Sequence, residues 1–201
     1  MSEEPFLGRH TDTSLLTDEM LQRFHERAPG YDRENKFFQE NFEELRDAGY
    51  LKIFVPTEFG GMGLNLAQTM REQRKLAYHA PATAVAVNMH IYWTGLSADL
   101  YRVRDESVKW LLEEAGDGEI FAAGHAESDN DMPLLFSTTN ATPVDGGYKI
   151  EGRKSFGTLT PVWTRLGFHA MDSTDPDAPK VVHGFLPRDS EGYHIEETWD
   201  A

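Results

Sequence analysis

His125-Ala126-Glu127 sets an imidazole and a carboxylate two positions apart, the spacing from which a zinc deaminase takes a metal ligand and a general acid/base. That chemistry also needs two thiolates. The 201 residues contain no cysteine, which excludes it together with disulfides, thiolate metal sites and a cysteine nucleophile. The eight histidines show no H-x-x-x-H spacing for zinc. Asp129-Asn130-Asp131 could begin a calcium loop, but the glycine and closing glutamate of an EF-hand do not follow. Gly60-Gly61-Met62-Gly63 lacks the third glycine, the βαβ setting and the Lys-Ser/Thr that phosphate-binding loops require. There is no G-x-S-x-G elbow for a serine hydrolase, and Asn140-Ala141-Thr142 is a glycosylation sequon with no export signal ahead of it.

These groups need elements to hold them. Helical spacing predicts a first helix over Leu15–Arg27, stopped by Pro29-Gly30, and a second over Arg33–Asp47 with Phe38, Phe42 and Leu45 on one side. A turn-rich stretch, Val55 to Gly63, precedes an Asn65/Gln68 capping box that opens a helix reaching His79. Thr83–Arg102 reads as a buried helix with Val87, Ile91, Trp93 and Leu96 packed. A short helix follows at Asp105–Glu114, with Trp110 and Leu111 inward. After Gly116-Asp117-Gly118 the period changes. Strands are expected at Ile120–Ala126, Ser137–Val144, Tyr148–Phe156, Arg165–Met171 and Val181–Leu186, with a hairpin turn at Asp145-Gly146-Gly147. On regular strands His125 and Glu127 share a face, as do Phe156 and Thr158. Helices first and strands afterwards give an α+β fold: a helical domain over 1–115, then an antiparallel β-barrel-like domain over 116–201.

The formal charge is −15, from 34 acidic and 19 basic residues, so no basic surface offers itself to nucleic acid or anionic membrane. Ala80–Ala98 lacks charged residues but carries Asn88, His90, Thr94 and Ser97, which argues against a membrane span. The acidic start, Met1-Ser2-Glu3-Glu4-Pro5, is the reverse of a secretory signal, and a cytoplasmic protein is expected.

Three segments together resemble the acyl-CoA dehydrogenase family. They are Phe42–Leu64, ending in Val55-Pro56-Thr57-Glu58-Phe59-Gly60-Gly61-Met62-Gly63-Leu64; Gly118–Glu127; and Gly147–Thr158. The first is similar to the family's turn between N-terminal helices. The second resembles the strand that opens its β domain, and the third the hairpin whose end lies against the flavin.

The resemblance implies an FAD-dependent oxidoreductase that removes hydrogens from the α and β carbons of an acyl thioester. Phe156, Gly157 and Thr158 would lie against the flavin, with Phe156 where the family usually has tryptophan and Thr158 near flavin N5. Ala123, His125, Ala126 and Glu127 would complete the cofactor surface, and Met132 would sit at the substrate, where the family has the serine of a Gly-Ser-Asp motif. Ser128-Asp129-Asn130-Asp131-Met132-Pro133 replaces that motif, which places CoA binding in question. No catalytic residue is assigned, because the family's base lies in a C-terminal helical bundle. The sequence stops at Glu197-Thr198-Trp199-Asp200-Ala201, where the last β strands would still be running, so a truncated protein, inactive alone, is expected. Implied partners are an acyl-CoA or related small molecule, an electron acceptor such as an electron-transfer flavoprotein, and further copies of the chain. A flavin-dependent monooxygenase on the same fold is the main rival, and a non-catalytic assembly module the third reading.

Overall fold

The computed structural model describes residues 15–128, 130–131 and 134–199. Five helices come first: α1 Asp18–Glu34, α2 Gln39–Asp47, α3 Leu66–His79, α4 Pro81–Arg102 and α5 Lys109–Asp117. Five strands follow: β1 Phe121–Gly124, β2 Asn140–Val144, β3 Gly147–Glu151, β4 Arg165–Asp172 and β5 Lys180–Pro187. The change of period falls where the glycines place it, with Gly118 capping α5 in the left-handed region at φ 108.

The helix ends differ from expectation for local reasons. Pro29-Gly30 does not stop α1, which carries Pro29 inside it and runs to a left-handed cap at Asn35. Bonds to α2 hold that stretch, Arg27 to Glu44 at 2.6 Å and Tyr31 to Glu40 at 2.7 Å, and tertiary contacts override the weak local preference. The same cap at Asn35 delays α2 to Gln39. Asp105 accepts from the Ser107 amide at 2.9 Å, making a turn that postpones α5 to Lys109. The capping box is present as read, each of Asn65 and Gln68 accepting from the other's amide at 3.0 Å.

Within α4, Val87, Ile91 and Trp93 are buried, but Leu96 is 44% exposed. The helix is therefore covered along only part of its circumference. Trp110 is likewise 38% exposed, although its ring packs edge-on to Phe185 at 5.3 Å. Among the described residues no helix is long and apolar enough to cross a membrane.

The sheet is open and mixed where an antiparallel barrel was expected. β4 is its centre. β5 runs antiparallel along one edge of β4 from Arg165 to Asp172. β1 and β2 share the other edge, both parallel, β1 at Arg165–Phe168 and β2 at Met171. β3 closes a hairpin on β2 with Val144 opposite Gly147. The parallel pairing arises because residues after the hairpin return to the start of β1: the Thr164 and Arg165 amides both donate to the Ile120 carbonyl, at 2.8 and 3.0 Å. β4 therefore begins where β1 begins.

Helices and sheet share an apolar core in which Val87 and Ile91 of α4 meet Ile120, Ala122, Leu159 and Trp163. His90 joins the layers. Its Nε2–H donates to the Leu51 carbonyl at 2.8 Å, and its Nδ1 accepts from the Phe121 amide at 3.0 Å. The buried ring is held neutral, its pKa lowered by burial to about 4 despite the opposing Leu51 bond. Next to it, Gly167 of β4 leaves room for Trp93. A Cβ there would lie 2.5 Å from Trp93 Cζ2. The indole then reaches the Ala122 carbonyl at 3.0 Å.

Candidate functional site

β1 ends at Gly124, so His125, Ala126 and Glu127 leave the strand and do not follow its alternation. Glu127 turns fully inward, its side chain 0% exposed. One carboxylate oxygen accepts from Lys154 Nζ at 2.6 Å, Ser137 Oγ at 2.7 Å, Thr139 Oγ1 at 2.7 Å and the Thr139 amide at 3.0 Å. The other accepts from the Thr138 amide and Asn130 Nδ2, each at 2.8 Å. Burial alone would raise its pKa. The bonds from Lys154, Thr139, Ser137 and the Thr138 amide outweigh burial and hold the carboxyl well below the usual range. For Lys154 the balance reverses: burial lowers its pKa, and Glu127 only partly opposes this.

This hub explains two shortened strands. Ser137, Thr138 and Thr139 serve Glu127, so the strand expected from Ser137 pairs only from Asn140. On the other side the strand expected through Phe156 ends at Glu151. Lys154 is drawn to Glu127, and the Ser155 amide donates to the Ala126 carbonyl at 2.8 Å. Residues 152–158 thus peel off the hairpin and pass beside 126–127.

Phe156 and Thr158 consequently do not share a strand face. Phe156 sits at φ 54, in the left-handed region that costs a non-glycine residue about 1–2 kcal/mol, and its side chain is 87% exposed. Thr158 begins a tight turn, its amide bonded to the Phe156 carbonyl at 2.8 Å and its hydroxyl reaching the same oxygen only at 3.4 Å. Gly157 lies between them, where a Cβ would come within 2.6 Å of Thr160 Oγ1. The structure therefore brings Ala126, Glu127 and residues 154–158 together. Ala123 stays within β1 opposite Gly167, and Met132 lies outside the described residues.

His125 belongs to a group that sequence reasoning missed. His169 of β4 faces His183 of β5 in register, and Gly124 pairs with Phe168, which brings His125 beside His169. The ring centroids are 5.3 Å apart for His125–His169, 6.1 Å for His169–His183 and 6.4 Å for His125–His183. Trp93 lies edge-on to His125 at 5.7 Å. Burial, then the neighbouring histidines and Lys154, lower the His125 pKa to about 4. The signal was available in part, since histidines at 169 and 183 alternate within apolar strands, but their register with each other and with His125 was not.

A flavin has a fitting surface here: an exposed aromatic ring held in a strained backbone, with a loosely bonded hydroxyl two residues on. Glu127 is different. Its carboxylate is fully engaged inside the protein, and its part is to fix the segments around it.

Comparison with known proteins bears on the fold and the family. Residues 14–100 match the family model of the acyl-CoA dehydrogenase N-terminal domain. Benzylmalonyl-CoA dehydrogenase of Aromatoleum aromaticum is 30% identical over 191 residues, 92% of this chain and 50% of that protein. Dibenzothiophene monooxygenase of Mycolicibacterium goodii is 25% identical over 196 residues, 96% of this chain and 46% of that protein. The crystal structure of KijD3 in complex with FMN and a dTDP-amino-keto sugar superposes with a TM-score of 0.78 at 26% identity, covering 92% of this chain and 46% of that one. The chain spans about half the length of these relatives. With its α+β architecture and the helical turn segment in place, the chain belongs to the acyl-CoA dehydrogenase family.

Proposed function

We propose that the protein is a flavin-dependent oxidoreductase whose flavin lies against Phe156, Gly157 and Thr158, with Ala123, His125 and Ala126 beside it. The observation that carries this reading is Phe156, a large ring 87% exposed on a backbone that disfavours any side chain. A bound flavin would supply hydride acceptance or, once reduced, oxygen activation. The chain's own residues supply position. Glu127, through Lys154 and the Ser137–Thr139 amides and hydroxyls, fixes the segment that carries Phe156. FAD is the first candidate, and FMN, the flavin in the KijD3 complex, the second. The reading keeps a helical domain over 1–115 and a β domain over 116–201, with Met132 toward a small-molecule substrate and a homo-oligomer as the working assembly.

Dehydrogenation of an acyl thioester, with electrons passed to an electron-transfer flavoprotein, is the first chemistry proposed. A monooxygenase is the second, and the likeness to dibenzothiophene monooxygenase, 25% identical over 96% of this chain, supports it.

Titration of the chain with FAD and with FMN, followed by flavin fluorescence, tests the site. Phe156→Ala should weaken binding about tenfold through loss of ring stacking, and Thr158→Val should weaken it or shift the flavin's reduction potential. Unchanged affinity and potential in both variants would remove these residues from the site. Oxygen uptake against acyl-CoA-dependent dye reduction, assayed with the flavin-loaded protein, separates the two chemistries.

A further inference from the structure

Residues 156–163 lead from the hairpin to β4 through two left-handed non-glycine residues, Phe156 at φ 54 and Leu159 at φ 65. An L side chain disfavours that conformation, which persists only where the surroundings over-determine it. On the hairpin side the restraint is Lys154 on Glu127 and the Ser155 amide on the Ala126 carbonyl. Beyond Phe156 the backbone bonds stay within the loop. The Thr158 amide donates to the Phe156 carbonyl at 2.8 Å, and the Thr160 amide to the Gly157 carbonyl at 3.1 Å. The Thr160 hydroxyl donates to that same Gly157 carbonyl, and the Val162 and Trp163 amides both donate to Leu159. Such bonds shape the loop but do not fix it to the sheet.

Arg188 ties it there. It is the first residue after β5, and its amide donates to the Thr164 carbonyl at 2.9 Å, beside the start of β4. Its Nη1 donates to the Thr160 carbonyl at 2.7 Å. Its guanidinium also lies over the buried Trp163, 4.4 Å from the ring centroid. The Tyr193 hydroxyl donates to the Arg188 carbonyl at 2.6 Å, and the Tyr193 ring lies 6.0 Å from Trp163. One side chain thus grips the loop at two points, and Thr160 passes the restraint on to Gly157 through its amide and hydroxyl. The task suits arginine, whose planar cation stacks on an indole while donating from its edge.

We propose that Arg188 is a positioning residue of the cofactor surface: by bonding Thr160 and stacking on Trp163 it holds Gly157 and Thr158 in place from the β5 side. The proposal rests on the flavin reading of Phe156, Gly157 and Thr158. Arg188 acts through the loop, and Glu127 acts on the opposite end of the same segment through Lys154. Neither anchor substitutes for the other, because the two left-handed residues lie between them.

Two variants and two readouts test it. Arg188→Met keeps an apolar chain over Trp163 and removes the donor and the charge, whereas Arg188→Lys keeps both. Arg188 is exposed, so either variant should fold. In the flavin-free chain, amide hydrogen exchange at Thr158 and Thr160 should quicken about tenfold in Arg188→Met, with β4 amides unchanged, and return toward the parent rate in Arg188→Lys. With FMN or FAD at saturation, the visible circular dichroism of the bound flavin should change in Arg188→Met and recover in Arg188→Lys. Affinity should follow, falling about fivefold in the Met variant. Equal exchange in the parent and Arg188→Met would overturn the proposal, as would a bound-flavin spectrum that the Met variant leaves unaltered. If the parent bound neither flavin yet exchange responded as expected, the clamp on the loop would stand and the flavin reading would fall.

Discussion

Replacing Glu127 by Gln keeps the shape of the side chain and removes its charge, and the structure lets the cost be worked out. In the better orientation the remaining oxygen keeps Lys154, Ser137 and both Thr139 donors. The new amide nitrogen then faces two further donors, the Thr138 N–H and Asn130 Nδ2. Neither donor can bond to it; Asn130 Nδ2 keeps the Phe136 carbonyl at 3.0 Å, so the loss falls mainly on the Thr138 N–H, at about 1–3 kcal/mol. Lys154, whose side chain is 15% exposed, loses its counter-charge as well. Breaking a buried pair on one side costs about 3–5 kcal/mol in total, a large part of the 5–15 kcal/mol typical of a whole domain. Urea unfolding should show the midpoint falling with the slope unchanged. Lys154→Met leaves Glu127 its five other donors and should cost less. The double variant should be no worse than Glu127→Gln alone, since the unpaired ammonium is gone. Flavin affinity should fall in Glu127→Gln because residues 154–158 lose their anchor. A loss below about 1 kcal/mol would refute the view that this carboxylate organises the site.

Acid should weaken the fold through His90. Its folded pKa of about 4 lies below the ordinary 6.5, so the unfolded chain binds the proton more readily, and stability complete above pH 6.5 is lost as pH falls toward 4. That amounts to about 3 kcal/mol, read from urea midpoints across the window, and His90→Gln should flatten the slope. A parent chain equally stable at pH 7 and pH 4.5 would contradict this. Gly167→Ala should cost about 1–3 kcal/mol and shift the tryptophan emission, because its methyl would meet Trp93 at 2.5 Å and Phe185 at 3.0 Å. Acyl-CoA-dependent dye reduction by this chain with added FAD should be negligible, since Glu127 cannot take a substrate proton. Turnover comparable to a full-length relative would mean the base is misplaced.

The order of helices before strands, the capping box at Asn65 and Gln68, the hairpin turn near Gly146 and the buried side of α4 follow from the sequence itself. Each depends on residues within one or two turns of chain, where spacing and local backbone chemistry decide. The family resemblance belongs to the same level, because its three segments are contiguous. The parallel edge of β4 lies beyond that range, as do the early ends of β1 and β3 and the left-handed Phe156. The parallel edge follows from Thr164 and Arg165 bonding to Ile120, and the strand ends and Phe156 from another long-range attachment, Glu127 to Ser137, Thr139 and Lys154, that pulls chain out of otherwise strand-like segments. A local pattern records what each segment prefers. Which preference yields is settled only when a buried carboxylate must find six donors, and those donors come from three separate stretches of the chain. The histidine row is of the same kind: His125, His169 and His183 come together only because sheet register aligns them.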